Sequence, residues 1–157
     1  MYFIMIGLLL VVLPLASVCM QLFLHSQGDQ AVLSLVGRWW AFWAVGVRLF
    51  IAGLRQVIEP QFTAKEIFGS DDPGSLPIVR EVGFGNLAFG SLGVLSLFRP
   101  DWVVPAAIAG GIYYGLAGAG HIPQKNKNRK EWTAMLSDFG VSLILAAFIF
   151  GRSSPEK

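Results

Sequence analysis

Five apolar stretches make up most of this chain, and each is long enough to cross a lipid bilayer. A membrane-spanning helix needs about 20 predominantly apolar residues. Hydrophobic residues account for 54% of the 157 residues, and charged residues for only 14%, whereas an average soluble domain carries about 25% charged residues. The sequence therefore predicts an all-α integral membrane bundle of five transmembrane helices, forming a single domain over residues 1–157.

The predicted spans are separated by prolines, charges and short polar segments. The first span, Met1–Leu24, has no charge and no basic segment before it, which favours a retained helix over a cleaved signal peptide. Pro14 is expected to bend this helix, and His25–Gln30 is predicted as a polar connector. Glu59-Pro60 ends the second span, because the residue before a proline leaves the helical region. The spans are predicted at residues 1–24, 39–58, 82–98, 102–122 and 134–150.

The loop after the second span contains a further short helix, predicted to lie at the membrane interface. Thr63 and Glu66 have the spacing of a capping box, and Phe62 and Ile67 have that of a hydrophobic staple. Gly69 stands where such a helix can end.

Three charged residues share one face of the second span. At about 100° per residue, Arg48, Arg55 and Glu59 fall within about 40° of one another. A charge near the centre of a span costs about 2.5–3.5 kcal/mol on insertion scales, and Arg48 lies well inside the span. We therefore expect Arg48 to have a buried partner. Arg55 and Glu59 can pair with each other, or extend to the interface.

Topology predicts that further polar residues gather at one end of the bundle. In a chain with five spans, the end of the second, the start of the third, the end of the fourth and the start of the fifth lie on the same side. The polar residues near these four ends are Arg55, Glu59, Arg80, Glu81, Asn86, His121 and Asp138. With Arg48, all of these except Arg80 form the candidate ligand-binding or buried polar cluster.

A structural interpretation of these residues is also open. Glu81 and Asp138 are predicted in or near the first turn of their helices, where the helix dipole stabilises a carboxylate. Small residues also recur at helical spacing on the third and fourth spans, which predicts close packing between helices. They are Gly83, Asn86, Gly90 and Gly93 on the third span, and Ala107, Gly111, Gly115 and Gly118 on the fourth.

Several classes of function are disfavoured by composition. The single cysteine excludes an internal disulfide framework and any multi-cysteine metal or iron–sulfur site. Lys and Arg number 12 against 10 Asp and Glu, a net charge of +2, so the chain has no basic surface for nucleic acid. We predict no catalytic residue and no metal ligand, and the sequence leaves open whether a reaction is catalysed.

Part of the chain resembles known small membrane proteins. Arg48 with Gly53, Glu59-Pro60 and the segment REVGFGNLAFGSLGVLSLF resemble DoxX-like proteins. With GGIYYGLAGAGH included, the pattern is closer still to an uncharacterised bacterial five-span family with an EVGFANLGFG-like core. The resemblance extends from Arg48 to Phe150.

The resemblance implies a DoxX-like four-helix unit preceded by one additional helix, in the inner (cytoplasmic) membrane of a bacterium. DoxX-like proteins are associated with thiosulfate:quinone oxidoreductase or with membrane redox and detoxification complexes. The matched polar positions are Arg48, Glu81, Asn86 and His121, and the resemblance assigns them no catalytic role.

Three functions compete at this point. In the first, the chain is an accessory or structural subunit of a larger membrane complex or a homo-oligomer, and its aromatic cluster contacts a partner helix, a pigment or the lipid belt. The cluster comprises Trp39, Trp40, Phe42 and Trp43. In the second, the bundle binds a quinone or another amphiphile. In the third, which is the weakest because no inverted repeat is evident, the chain is a transporter or proton channel.

The quinone hypothesis names specific residues. His121, Tyr113 or Tyr114 would donate a hydrogen bond to a quinone carbonyl, and Glu81 or Asp138 would relay a proton.

Overall fold

The computed structural model describes residues 2–24 and 32–152, which form an all-α fold of helices joined by short turns. The predicted connector His25–Gln30 lies outside the described residues. A short 3₁₀ turn, Pro100–Trp102, precedes the fifth helix. Five helices are long and apolar enough to cross a membrane, as predicted, and one of them includes this turn as its first residues. The helices are α1 (Tyr2–Leu24), α2 (Val32–Ile58), α3 (Pro60–Glu66), α4 (Ser75–Leu95), α5 (Val103–Gly120) and α6 (Arg129–Arg152).

Three of the long helices begin earlier than their predicted spans. Helix α2 begins at residue 32 instead of 39, α4 at 75 instead of 82, and α6 at 129 instead of 134. The predictions stopped at charges and prolines, but a helix can continue past the hydrocarbon region when its end is capped. At the start of α6, Asn128 Oδ1 accepts hydrogen bonds from the backbone N–H groups of Lys130 and Glu131, at 2.8 and 3.0 Å.

These earlier starts correct the expected positions of two carboxylates. Glu81 lies six residues after the first residue of α4, and Asp138 lies nine residues after the first residue of α6. Neither is in a first turn, so the helix dipole does not explain them, because its effect is confined to the terminal turn.

Pro14 is accommodated by a local widening of α1. Residues Leu8–Val12 form a π-helical turn, and the Leu13 N–H bonds to the Leu8 carbonyl. Proline lacks an N–H and its ring clashes with the carbonyl four residues earlier. A wider turn immediately before Pro14 relieves that conflict while the helix continues to Leu24.

The short helix α3 is present, but the predicted capping box is wrong. The helix begins at Pro60, three residues before Thr63, because Pro60 occupies its first position and the non-helical Glu59 precedes it. Thr63 is consequently a buried residue within α3. Gly69 follows the helix in the left-handed conformation at φ 63°, as expected of a residue that ends a helix.

The glycines pack the long helices against one another in two pairs. Gly83, Gly90 and Gly93 of α4 face Gly53, Phe50 and Gly46 of α2, with backbones close enough that no side chain fits between them. On the other side of the bundle, Gly115 and Gly118 of α5 face Ser142 and Phe139 of α6. The packing role predicted for both stripes is confirmed.

Two tryptophans of the aromatic cluster of α2 form hydrogen bonds within the chain. Trp39 Nε1 donates to Gln21 Oε1 at 2.9 Å, and Trp43 Nε1 donates to Ser17 Oγ at 3.0 Å. Both acceptors belong to α1. The cluster therefore attaches α1 to α2, and it carries no argument for an external partner.

We predict that Gly90→Ala destabilises the bundle and that Gly85→Ala does not. A Cβ at Gly90 would lie 2.5–2.9 Å from the backbone and Cβ of Phe50, whereas one at Gly85 would meet nothing within 4 Å. Overpacking of this kind costs about 1–3 kcal/mol. Thermal unfolding in detergent should therefore begin at a lower temperature for Gly90→Ala only, and equal unfolding of the two variants would contradict the packing.

Candidate functional site

A cavity of about 230 Å³ lies at one end of the bundle. It is bounded by the start of α1, the end of α2, the helix α3, the first half of α4, the end of α5 and the first half of α6. Its polar and aromatic lining consists of Tyr2, Arg48, Arg55, Gln56, Phe62, Thr63, Phe68, Asn86, Tyr113, Tyr114, His121 and Asp138. The alternating directions of the helices bring these residues together, as the topology predicts.

An ion pair between α2 and α6 forms part of the cavity wall. Arg48 Nη1 and Nη2 donate to the same oxygen, Asp138 Oδ1, at 3.2 and 3.3 Å. The two side chains are only 13% and 8% exposed. Arg48 therefore has the buried partner that its position in the span predicts. Asp138 Oδ2 accepts no hydrogen bond from the described residues.

Helix α5 completes this arrangement through Tyr114. Its ring centroid lies 5.1 Å from the Arg48 guanidinium carbon, and its hydroxyl donates to the Ala44 carbonyl at 2.6 Å. Ala44 belongs to a π-helical segment of α2, Ala41–Arg48, that ends at Arg48. Such segments are rare and often lie at functional sites. Because the Tyr114 hydroxyl is already engaged, it is not the free donor that the quinone hypothesis assumes.

A pair of amides lies where α4 meets α2. Asn86 Nδ2 donates to Gln56 Oε1 at 2.7 Å. Asn86 is almost fully buried, and its Oδ1 has no partner among the described residues. An amide hydrogen bond of this kind joins helices in an apolar surrounding.

The structure brings together five of the seven candidate residues. Those that line the cavity are Arg48, Arg55, Asn86, His121 and Asp138. Glu59 is exposed and forms only a long ion pair with Arg55, at 3.8 Å. Glu81 is exposed and lies outside the cavity. The proton relay assigned to Glu81 therefore has no structural basis.

Sequence reasoning missed three polar residues of the cavity, namely Tyr2, Gln56 and Thr63, the last of which it had assigned to a capping box. Gln56 is the one side-chain amide of the second predicted span. Because Asn86 needed a hydrogen-bond partner on a neighbouring helix, Gln56 could have been predicted as that partner. Tyr2 follows from the topology, because the start of the first span lies at the same end of the bundle as the end of the second.

Helix α3 forms a roof over the cavity. Phe62 and Thr63 of α3 and Ile67 and Phe68 after it contribute to the lining. The Arg55 guanidinium carbon lies 3.4 Å from the Phe62 ring centroid. Because this roof and α2 share a cation–π contact, the position of α3 also fixes that of Arg55.

An ion pair at the surface attaches the roof to α6. Lys130 Nζ donates to Glu66 Oε2 at 2.5 Å. This hydrogen bond and the positive charge of Lys130 lower the pKa of the Glu66 carboxyl below its usual value. Glu66 is therefore ionised at neutral pH, and the pair loses its attraction only as the pH falls through that lowered pKa.

The cavity combines polar side chains with apolar walls. No group of three or more His, Cys, Asp or Glu side chains within residues 2–24 and 32–152 is arranged to hold a metal ion. Its polar groups are hydrogen-bond donors and acceptors set among apolar residues, which is the usual composition of a ligand pocket.

We predict that Arg48 and Asp138 depend on each other. Asp138→Leu alone leaves the guanidinium unpaired in an apolar bundle, and breaking a buried pair costs roughly 3–5 kcal/mol. The double variant Arg48→Met/Asp138→Leu removes both charges and should recover most of that stability. Thermal unfolding in detergent measures both, and additive losses in the double variant would contradict the coupling.

Comparison with known proteins gives a family and no activity. No curated protein and no solved structure matches the chain. One family model, described as a family of unknown function (DUF6790), matches residues 4–155. This agrees with the resemblance to an uncharacterised family, and it carries no relation to DoxX-like proteins. The chain therefore belongs to the DUF6790 family of unknown function.

Proposed function

We propose that this protein binds a small amphiphile, with the polar head in the cavity beneath α3 and the apolar part among the helices. The carrying observation is the cavity itself, in which an ion pair, an amide pair and further polar side chains lie among apolar residues. Ligand pockets usually measure about 300–1,000 Å³. At about 230 Å³, this one suits a head group more than a whole drug-sized molecule.

A quinone is one candidate ligand, and the DoxX-like resemblance, with the redox role and bacterial inner membrane that it implies, belongs to this proposal. Among the donors named from the sequence, His121 and Tyr113 line the cavity and are the ones we assign to a quinone carbonyl. The Tyr114 hydroxyl is occupied by Ala44. We assign no reaction.

Filling the cavity should abolish binding. Ala52 lines the cavity, whereas its neighbour Ile51 is exposed on the outside of α2. Decylubiquinone or decanol should raise the unfolding temperature of the wild-type protein and of Ile51→Phe in detergent, because a ligand that binds only the folded state stabilises it. Ala52→Phe should lose this shift. Equal shifts in the two variants would indicate partitioning without a site.

A second candidate function is that of an accessory or structural subunit. It is supported by a groove of about 560 Å³ between α5 and α6, whose lining includes Gly111, Gly115 and Ala146. Small residues permit close approach of a further membrane helix, from another subunit or a second copy.

Native mass spectrometry of particles extracted in mild detergent tests this second function. Leu116 lines the groove and is 69% exposed, and Leu143 of α6 lies outside the groove and is 70% exposed. If a partner occupies the groove, Leu116→Trp should release it and Leu143→Trp should not. A wild-type particle of 17.1 kDa, the mass of one chain, would exclude the subunit function.

A further inference from the structure

We propose that the head group bound in this cavity is anionic, a carboxylate or a phosphate, and that Arg55 receives it. The inference rests on the proposed binding function and specifies its ligand class. It is drawn from the charges that line the cavity, from the unused donors of Arg55 and from the contact that orients its guanidinium.

The cavity lining has more positive than negative charge. Two guanidinium groups, Arg48 and Arg55, line it together with a single carboxylate, Asp138. Asp138 is already paired with Arg48, so these two charges balance. Arg55 is left without a matching negative charge in the lining, because Glu59 and Glu81 lie outside it. A positive charge without a counter-charge in the lining attracts an anionic head group.

The donors of Arg55 are also unused. A guanidinium offers five N–H donors, and Arg55 donates no hydrogen bond to the described residues. Its nearest carboxylate oxygen, Glu59 Oε2, lies 3.8 Å from Nε, which is too far for a hydrogen bond. The Glu59 side chain is 64% exposed, so water competes for it and the pair contributes little.

A contact with an aromatic ring favours one orientation of the Arg55 guanidinium. The guanidinium carbon lies 3.4 Å from the centroid of the Phe62 ring, which belongs to the roof helix α3. One face of the planar group is therefore covered, while its edge, which carries the donors, stays open. That edge matches the paired oxygens of a carboxylate or a phosphate, which arginine binds with two parallel hydrogen bonds.

Arg48 and Arg55 have different roles in this arrangement. They lie seven residues apart, which places them on one face of α2 about 10 Å apart along its axis. Arg48, at 13% exposure, lies deep and is neutralised by Asp138, whereas the Arg55 side chain is 42% exposed. A charged head can therefore reach Arg55 while keeping part of its hydration, and its chain extends toward the apolar lining.

The test compares ten-carbon probes that differ only in the head: decanoate, decyl phosphate, decanol, decyltrimethylammonium and decylubiquinone. Binding to the purified full chain in a neutral detergent is measured by equilibrium dialysis with radiolabelled decanoate and by competition. We expect decanoate or decyl phosphate to bind at least about tenfold more tightly than decanol, as a charge-assisted bidentate contact implies. The ranking of these two anions tells a carboxylate from a phosphate site.

Variants locate the contact. Arg55→Gln should lose the preference for the anions and keep the affinity for decanol, and Arg55→Lys should keep part of the preference, since it retains the charge without the planar edge. The matched control is Arg80→Gln, which removes an exposed arginine of α4 that does not line the cavity. Unfolding temperatures are recorded for all three, and Arg55→Lys carries the test if Arg55→Gln does not fold.

The two proposals fail in different ways. Binding of decanol or decylubiquinone at least as tight as that of decanoate would overturn the anionic head and leave the amphiphile site standing. Equal loss of anion binding in Arg55→Gln and Arg80→Gln would remove Arg55 from the site. Absence of binding by every probe would overturn the proposed function itself.

Discussion

The ion pair between Arg48 and Asp138 governs how this bundle can close. A guanidinium within an apolar helix needs a counter-charge, and the carboxylate that pairs with Arg48 belongs to α6. The pair fixes α2 and α6 relative to each other, and Tyr114 of α5 contacts both the Arg48 guanidinium and the Ala44 carbonyl. Three helices are thereby aligned at one level, and the cavity lies next to them.

The rest of the cavity follows from two different kinds of contact. Helices α2 and α4 approach closely at their glycines, and a hydrogen bond between Asn86 and Gln56 joins them beside the cavity. Helix α3 instead covers the opening through side chains, with Phe62 on Arg55 and Glu66 on Lys130. One wall of the cavity is thus formed by closely packed backbones, whereas α3 is attached by one cation–π contact and one ion pair.

The sequence predicts the five apolar helices, the shared end of the bundle and the need of Arg48 for a partner. The length of an apolar stretch and the presence of a charge inside it can both be recognised from the sequence alone. Helix starts are harder to predict, because α4 and α6 both continue through charged residues, and α6 begins at a cap formed by Asn128. Because the start of α6 was predicted too late, Asp138 was expected near the first turn of its helix and was not recognised as the partner of Arg48. Glu81 shows a second limit of the prediction. It lies at the predicted end of the bundle but outside the cavity, because topology does not determine which way a side chain points.

The ion pair also has a consequence for the order of biogenesis. Arg48 and Asp138 are separated by 90 residues of chain, so the arginine leaves the ribosome long before its partner exists. During that interval the second helix carries an unpaired charge whose burial costs about 2.5–3.5 kcal/mol. The charge of Arg48 is therefore balanced within the chain only once α6 has joined α2.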